Sequence, residues 1–270
     1  MQALIPSSFF TLIDADLAQV GTLIQQGLNT DVALIAYAAQ HIARSPEQRV
    51  RPALALVCAQ ALGDRGARQQ ALAAAVELIH AALALHHEVD LPAEEAPAGL
   101  GNAPSVLLGD LLYTGAFRAI VALGDMRVLR VLADATNQVA EGSVMFQQTY
   151  QTPDAPAQSD DNGERHLRIT QARTASLFEA GARCAAILAG ASPEVEAALA
   201  AYGQSWGLVW QLSRESRPDQ PSGRPARLTH AALAAALTQA QTALTQAKQG
   251  LDLLPESPCQ QALLADNAQV

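Results

Sequence analysis

The densest group of residues capable of chemistry stands at the end of an apolar stretch, where His86, His87, Glu88 and Asp90 occur within five positions. Imidazole nitrogens and carboxylate oxygens are both metal ligands in proteins. Neighbouring residues of a helix point in different directions, and residues three or four apart share a face. His87 and Asp90 have that spacing, but two ligands do not make a site. We therefore predict no metal site here.

The residues before this group predict the helix that positions it. The stretch 69–87 is rich in Ala and Leu, which are good helix formers. Apolar residues at helical spacing predict further helices. These cover residues 7–28, 31–43, 51–62, 105–123, 127–144, 167–188, 192–212 and 228–254, with a short one near the end. Polar segments at 91–103, 151–164 and 213–227 are predicted loops. We expect an all-α fold in a single domain, residues 1–270.

The amino-acid composition argues against several classes of function. The net charge of −9 argues against nucleic-acid binding, which needs a basic surface to neutralise phosphates. The three cysteines are scattered and have no metal-ligand spacing, which is typical of a reducing compartment. No signal peptide and no transmembrane segment are expected. These features favour a cytoplasmic protein.

Several sequence blocks, in a fixed order, carry a resemblance to a known family. Arg49-Val-Arg51-Pro52 resembles a G-K-R-x-R-P block, and residues 77–91 resemble the pattern E-L/F-I-H-x-A-x-L-L-H-D-D-x-x-D. Further matching blocks lie at 101–117, 128–142, 173–180 and 210–212. The chain is similar to the trans-polyprenyl diphosphate synthases, and to their octaprenyl branch in particular. The resemblance implies an isoprenoid-synthase helical bundle around a central cavity.

The resemblance also implies a definite chemistry. In this family an allylic diphosphate ionises to a carbocation, which the alkene of isopentenyl diphosphate attacks. Magnesium ions held by two facing aspartate-rich motifs draw off the diphosphate, since Mg²⁺ prefers hard oxygen ligands. Arg and Lys side chains clamp the phosphates.

In this chain the first aspartate-rich motif has changed. Its positions carry His87, Glu88 and Asp90, and Leu91 stands where the last aspartate is expected. Imidazole is a poor Mg²⁺ ligand and a leucine is none. The arginine pair that follows the motif in the family corresponds to Ala96-Pro97.

The second motif has changed further. It falls on residues 214–218, Arg-Glu-Ser-Arg-Pro, where Glu215 is the one remaining carboxylate. Pro218 is expected to end the helix, and the chain is shortened over about 213–227. We therefore predict no confident catalytic residue, and Mg²⁺ only if activity remains.

Other family positions are kept. The resemblance implies that substrate is bound by Arg49, Arg51, His80, Arg173, Thr174 and Gln211. A small residue, Ala82, stands five positions before the first motif, where small side chains leave room for a long prenyl tail.

These features favour a catalytically degenerate polyprenyl diphosphate synthase homologue, acting as a non-catalytic or regulatory subunit in isoprenoid or quinone side-chain biosynthesis. It would form a homodimer, or a heterodimer with an active synthase. Two alternatives stay open. One is a residual prenyltransferase that condenses isopentenyl diphosphate with an allylic diphosphate. The other is a protein that binds a prenyl diphosphate or a polyprenyl chain.

Overall fold

The structure is a computed structural model, and it describes residues 7–28, 31–33, 35–36, 49–87, 89, 101–151, 162–217 and 228–265. Every regular element within those ranges is helical, which confirms the all-α prediction. The helices are α1 (Ser7–Gly27), α2 (Val50–Ala61), α3 (Ala67–His87), α4 (Asn102–Leu123), α5 (Met126–Phe146), α6 (Asn162–Thr170), α7 (Ser176–Leu188), α8 (Pro193–Glu215), α9 (His230–Lys248) and α10 (Pro258–Leu264). Single π-helical turns follow α5 at Gln147–Gln151 and precede α7 at Gln171–Ala175, and a 3₁₀ turn follows α9 at Gln249–Leu253.

Helix α7 is the centre of the molecule. Eleven of its thirteen residues are buried, and it packs against α2, α3, α5 and α8. Small residues allow these helices to approach closely. A Cβ atom added at Gly203 of α8 would lie 2.7 Å from the carbonyl oxygen of Phe178 in α7, so no larger residue fits there without a shift.

Most predicted helices are present, with shifted ends. Helix α4 begins at Asn102 and not at Ser105, because Gly101 adopts a positive φ of 77° and Pro104 needs no backbone donor in a first helical turn. The predicted loop 151–164 is wrong at its two ends, where Gln151 closes a π-helical turn and α6 begins at Asn162. The predicted helix 31–43 falls largely outside the described residues.

The ends of α8 follow from local sequence. The hydroxyl of Ser192 accepts a hydrogen bond from the backbone N–H of Val195, and Pro193 occupies the first turn. The helix ends at Glu215, three residues before Pro218, because a proline disfavours helical conformation in the residue that precedes it. This end of α8 carries the positions of the second motif.

Within the described part of the chain, α4 is the one helix long and apolar enough to cross a membrane by length and composition. These two criteria are weak, since core helices of globular proteins meet them as well. Helix α4 packs along α3 and carries Asp110. The absence of a transmembrane segment therefore stays a prediction.

Candidate functional site

Arg51 lies in the interior, on the first turn of α2. It is 6% exposed, and its guanidinium carbon lies 4.7 Å from the ring centroid of Phe178 and 5.4 Å from that of Trp210. Stacking on two aromatic faces partly replaces the water that a buried cation loses. Arg49 precedes the helix as its cap and is half-buried.

Helix α3 presents Glu77 and His80 to this arginine, one turn apart. Glu77 is 3% exposed, and its two carboxyl oxygens have no hydrogen-bond partner among the described residues. Burial raises the pKa of Glu77 to about 8, although the charge of Arg51 acts in the opposite direction. Sequence reasoning gave this carboxyl no role.

The pKa of the half-buried His80 reflects burial and the positive charges of the same region. Burial, followed by the charges of Arg51, His87 and Arg214, lowers its pKa well below the ordinary range. His80 is therefore neutral at pH 7, and it lies within electrostatic reach of residues from α2, α3 and α8. The structure thus brings together Arg51 and His80, which the resemblance paired as substrate-binding residues.

His87, the first-motif residue that the structure describes, is held by a neighbouring helix. Its Nε2 lies 2.6 Å from the hydroxyl oxygen of Ser143 in α5. The Ser143 hydroxyl donates its one proton to the carbonyl of Val139, so Nε2–H of His87 is the donor of this bond. Burial, and then the charges of Arg173 and His86, lower the pKa of His87 to about 3. Glu88 and Asp90 lie outside the described residues.

The adjacent histidine points elsewhere. His86 lies 3.4 Å from a carboxyl oxygen of Asp110, and its ring sits over Gly109 and 5.5 Å from the ring of Tyr113. The two histidines therefore contact different helices, as the helical spacing predicts.

Arg173 and Thr174 lie in the π-helical turn that leads into α7. Turns of this kind are rare and often occur at functional sites. The guanidinium carbon of Arg173 is 4.2 Å from the ring centroid of Phe146, and burial lowers its pKa while Glu215 acts in the opposite direction. Thr174 is 8% exposed. This turn places Arg173 between the first-motif and second-motif positions.

At the second motif, each carboxylate oxygen of Glu215 accepts a hydrogen bond from within the protein. The side-chain amide of Gln211 donates to one carboxylate oxygen at 2.7 Å, and Nε2 of His166 donates to the other at 2.6 Å. Glu215 and His166 are 7% and 1% exposed. The Tyr150 hydroxyl lies 3.0 Å from Nδ1 of His166, which completes a buried network. Burial, followed by the charge of Glu215, raises the pKa of Tyr150 to about 12.

Sequence reasoning missed Tyr150 and His166. It predicted Gln211 as a substrate-binding residue, and the structure shows that its amide nitrogen is used by Glu215. Arg214 precedes Glu215 and stacks with its guanidinium carbon 4.7 Å from the Trp210 ring centroid. Two guanidinium groups, one from α2 and one from α8, therefore stack on the ring of Trp210.

These residues are a poor fit to Mg²⁺, the ion that the resemblance implies. The second-motif position offers one carboxylate, and each of its oxygens already accepts a hydrogen bond. Across the ranges that the structure describes, no group of three or more His, Cys, Asp or Glu side chains is placed to hold a metal ion. Arg214 adds a positive charge where Mg²⁺ would need oxygen ligands. No chemical step through Mg²⁺ follows from this arrangement.

A separate cleft of about 650 Å³ lies over α7 and the first half of α8. Its charged residues bind one another: Glu196 pairs with Arg127 and Arg183, and Glu179 accepts from the amide of Gln204. These ion pairs and the hydrogen bond account for the charged residues of the cleft, so we assign it no ligand.

Comparison with known proteins decides the family. The family model described as "Polyprenyl synthetase" matches residues 92–213. The octaprenyl diphosphate synthase of Escherichia coli is 39% identical over 203 residues, which cover 73% of this chain and 61% of that protein. The chain belongs to the polyprenyl synthetase family. The octaprenyl diphosphate synthase of Haemophilus influenzae is likewise 39% identical, over 74% of this chain and 61% of that protein.

Solved structures of polyprenyl synthetases confirm the predicted fold. A polyprenyl synthase from Caulobacter crescentus, in complex with calcium and isoprenyl diphosphate, superposes with a TM-score of 0.81 at 27% identity, covering 98% of this chain and 96% of that chain. A decaprenyl diphosphate synthase from Rhodobacter capsulatus gives a TM-score of 0.78 at 27% identity, with 95% of each chain covered. By sequence, the match spans 61% of the length of the two octaprenyl diphosphate synthases.

Proposed function

We propose that this chain is a non-catalytic subunit of a polyprenyl diphosphate synthase, one that pairs with an active synthase and modifies its output. The observation that carries the proposal is the state of Glu215. This single carboxylate at the second-motif position is bound by Gln211 and His166, and Arg214 stands beside it. Electrostatic stabilisation of the leaving group supplies much of the rate enhancement in such catalysis, so a second-motif position with one hydrogen-bonded carboxylate is expected to accelerate the reaction little.

An exposed apolar surface supports the pairing. Six of the eight exposed large apolar side chains within the described ranges belong to α4 and α5, a hairpin joined by Gly124 and Asp125. They are Val106, Leu107 and Val121 of α4, with Met126, Val144 and Met145 of α5. Exposed apolar side chains concentrated on two consecutive helices are a candidate protein–protein interface. The occupant that fits the proposal is the α4–α5 surface of a synthase subunit with the same fold.

The test is a prenyltransferase assay with isopentenyl diphosphate, farnesyl diphosphate and Mg²⁺. The purified chain is assayed alone and mixed with the long-chain polyprenyl diphosphate synthase of its host. We expect no product from the chain alone, and a changed rate or product length in the mixture. Product from the chain alone would overturn the proposal, and so would a mixture indistinguishable from the synthase by itself.

A further inference from the structure

Two histidines join pairs of helices at the motif positions. At the end of α3, Nε2–H of His87 donates to the hydroxyl oxygen of Ser143 in α5 at 2.6 Å. At the end of α8, a carboxylate oxygen of Glu215 accepts from Nε2–H of His166 in α6, also at 2.6 Å. We call these two contacts the histidine bridges. Each one stands at a position where the family resemblance implies a metal ligand.

The bridge at Glu215 is surrounded by further hydrogen bonds. The Tyr150 hydroxyl lies 3.0 Å from Nδ1 of His166, so both ring nitrogens have a partner. The hydroxyl oxygen of Thr170 lies 3.3 Å from Nε2 of the same ring, and Gln211 donates to the second carboxylate oxygen. His166 and Glu215 are 1% and 7% exposed. Because both are buried, breaking this bridge leaves polar groups without partners, which costs more than the bond itself contributes.

The π-helical turn that leads into α7 connects the two bridges. It follows directly on Thr170, which contacts His166. On its other side it packs against α5, where a Cβ atom added at Gly142 would lie 2.7 Å from the backbone nitrogen of Arg173. Gly142 immediately precedes Ser143 of the first bridge. A close contact with backbone transmits displacement, since no flexible side chain absorbs it.

Arg173 of this turn also connects the bridges electrostatically. Burial, followed by the charge of Arg173, lowers the pKa of His87 to about 3. Burial lowers the pKa of Arg173 itself, while the charge of Glu215 acts in the opposite direction. A movement of either bridge therefore changes the electrostatic surroundings of the same arginine.

We propose that the histidine bridges and the π-helical turn between them form one coupled latch, which holds the ends of α3 and α8 in place without a metal ion. The residues at the motif positions do not fit Mg²⁺, and two imidazole rings supply the contacts between helices. Coupling means that the release of one bridge loosens the helix end held by the other. The latch goes beyond the proposed function, because it belongs to the single chain and needs no partner subunit.

Hydrogen–deuterium exchange of the full-length chain in EDTA, read by mass spectrometry, measures the local opening of residues 80–87 and 208–215. Ser143→Ala removes the acceptor of the first bridge, and His166→Phe removes the donor of the second while keeping a ring. Each variant should raise exchange at its own helix end about tenfold, because a buried group loses its partner. Each should also raise exchange at the other helix end by at least about threefold, which is the effect of coupling.

Thr136→Ala is the matched control for Ser143→Ala. Thr136 is a half-buried residue of the same helix, and its hydroxyl donates to the carbonyl of Leu132 in that helix. Its replacement should leave exchange at both helix ends unchanged. Exchange of α1 should be unchanged in every variant, which distinguishes opening of the latch from loss of the whole fold.

Two conservative variants keep the test decisive if His166→Phe does not fold. His166→Gln places an amide nitrogen near the position of Nε2 and retains a donor to Glu215. Exchange at both helix ends should then stay within about threefold of the wild type. Tyr150→Phe removes one hydroxyl and should raise exchange at both ends by at least about threefold.

The latch is supported by exchange that rises at both ends in the bridge variants and is equal for the wild type in EDTA and in Mg²⁺. Exchange raised at one end alone, exchange unchanged at both ends, or added protection of the wild type by Mg²⁺ would overturn it. No partner subunit enters this experiment. Its failure therefore leaves the mixing assay of the proposed function unaffected.

Discussion

Glu77 is a carboxyl group held in a low-dielectric interior, and its proton couples folding to pH. Burial raises its pKa from an ordinary value of 4.5 to about 8. Between these values the folded chain keeps a proton that the unfolded chain has released. The folded state therefore loses stability as pH rises through this window, by at most about 1.4 kcal/mol per pH unit for one group.

Replacing Glu77 with Gln should remove this dependence. Gln is uncharged in both states, so the free energy of unfolding of Glu77→Gln should exceed that of the wild type by a margin that grows from pH 5 to pH 8. Urea unfolding at several pH values measures it. Glu164→Gln, at an exposed position in the first turn of α6, is the matched control and should run parallel to the wild type. Parallel curves for Glu77→Gln would show that the carboxyl is ionised in the folded chain.

Single residues also show how far the sequence predicts the site. Motif matching selected Arg51, His80 and Arg173, and the structure brings them to one region because the family fold places those blocks side by side. It could not select His166, which contacts a residue 49 positions away in the chain. No spacing rule links α6 to the end of α8, so the network that engages Glu215 became visible only through packing.

At the scale of elements, the contact between α7 and α8 depends on the absence of one Cβ atom. A Cβ at Gly203 would lie 2.7 Å from the Phe178 carbonyl oxygen and 2.9 Å from the Cβ of Ala182. A backbone atom cannot move aside as a flexible side chain can. We expect Gly203→Ala to destabilise the fold by about 1–3 kcal/mol, the usual cost of overpacking.

Gly21→Ala is the matched control for this prediction. Gly21 lies within α1 and has no atom within 4 Å of an added Cβ. Alanine there should stabilise the chain by about 0.5–1 kcal/mol, because it lowers the backbone entropy of the unfolded state. Thermal denaturation of both variants gives the comparison. Equal stability changes would mean that α7 and α8 adjust their spacing at little cost.

The presence of a helix was easier to predict from the sequence than a local departure from regular α-helix. Long apolar stretches with helical spacing gave α3, α5 and α8 nearly as observed, since a core-facing stripe is a local property of the sequence. The single helix predicted over 167–188 is wrong in detail, because the structure divides it into the end of α6, a π-helical turn and α7. The π-helical turn at Gln171–Ala175 had no such signature. It depends on how the chain between α6 and α7 packs on Gly142 of α5, where an added Cβ would lie 2.7 Å from the backbone nitrogen of Arg173.

For the whole molecule, the apolar surface of the α4–α5 hairpin is the feature that a partner subunit should cover. Leu107 is 70% exposed on α4, and Val121 lies on the same helix face, 14 residues later and 64% exposed. A negative charge in the centre of an apolar contact costs the desolvation of that charge. We expect Leu107→Asp to weaken self-association or pairing with a synthase by at least about tenfold, a change of about 1.4 kcal/mol.

Leu253→Asp tests whether the surface matters or only the loss of an exposed leucine. Leu253 is 56% exposed in the 3₁₀ turn after α9, away from the hairpin in sequence. Analytical ultracentrifugation of both variants, alone and mixed with the host synthase, should show weaker pairing for Leu107→Asp alone. Since both leucines are exposed, melting temperatures near that of the wild type would assign the effect to the interface and not to folding. Unchanged assembly of Leu107→Asp would place the partner on another face and remove the hairpin as support for a subunit role.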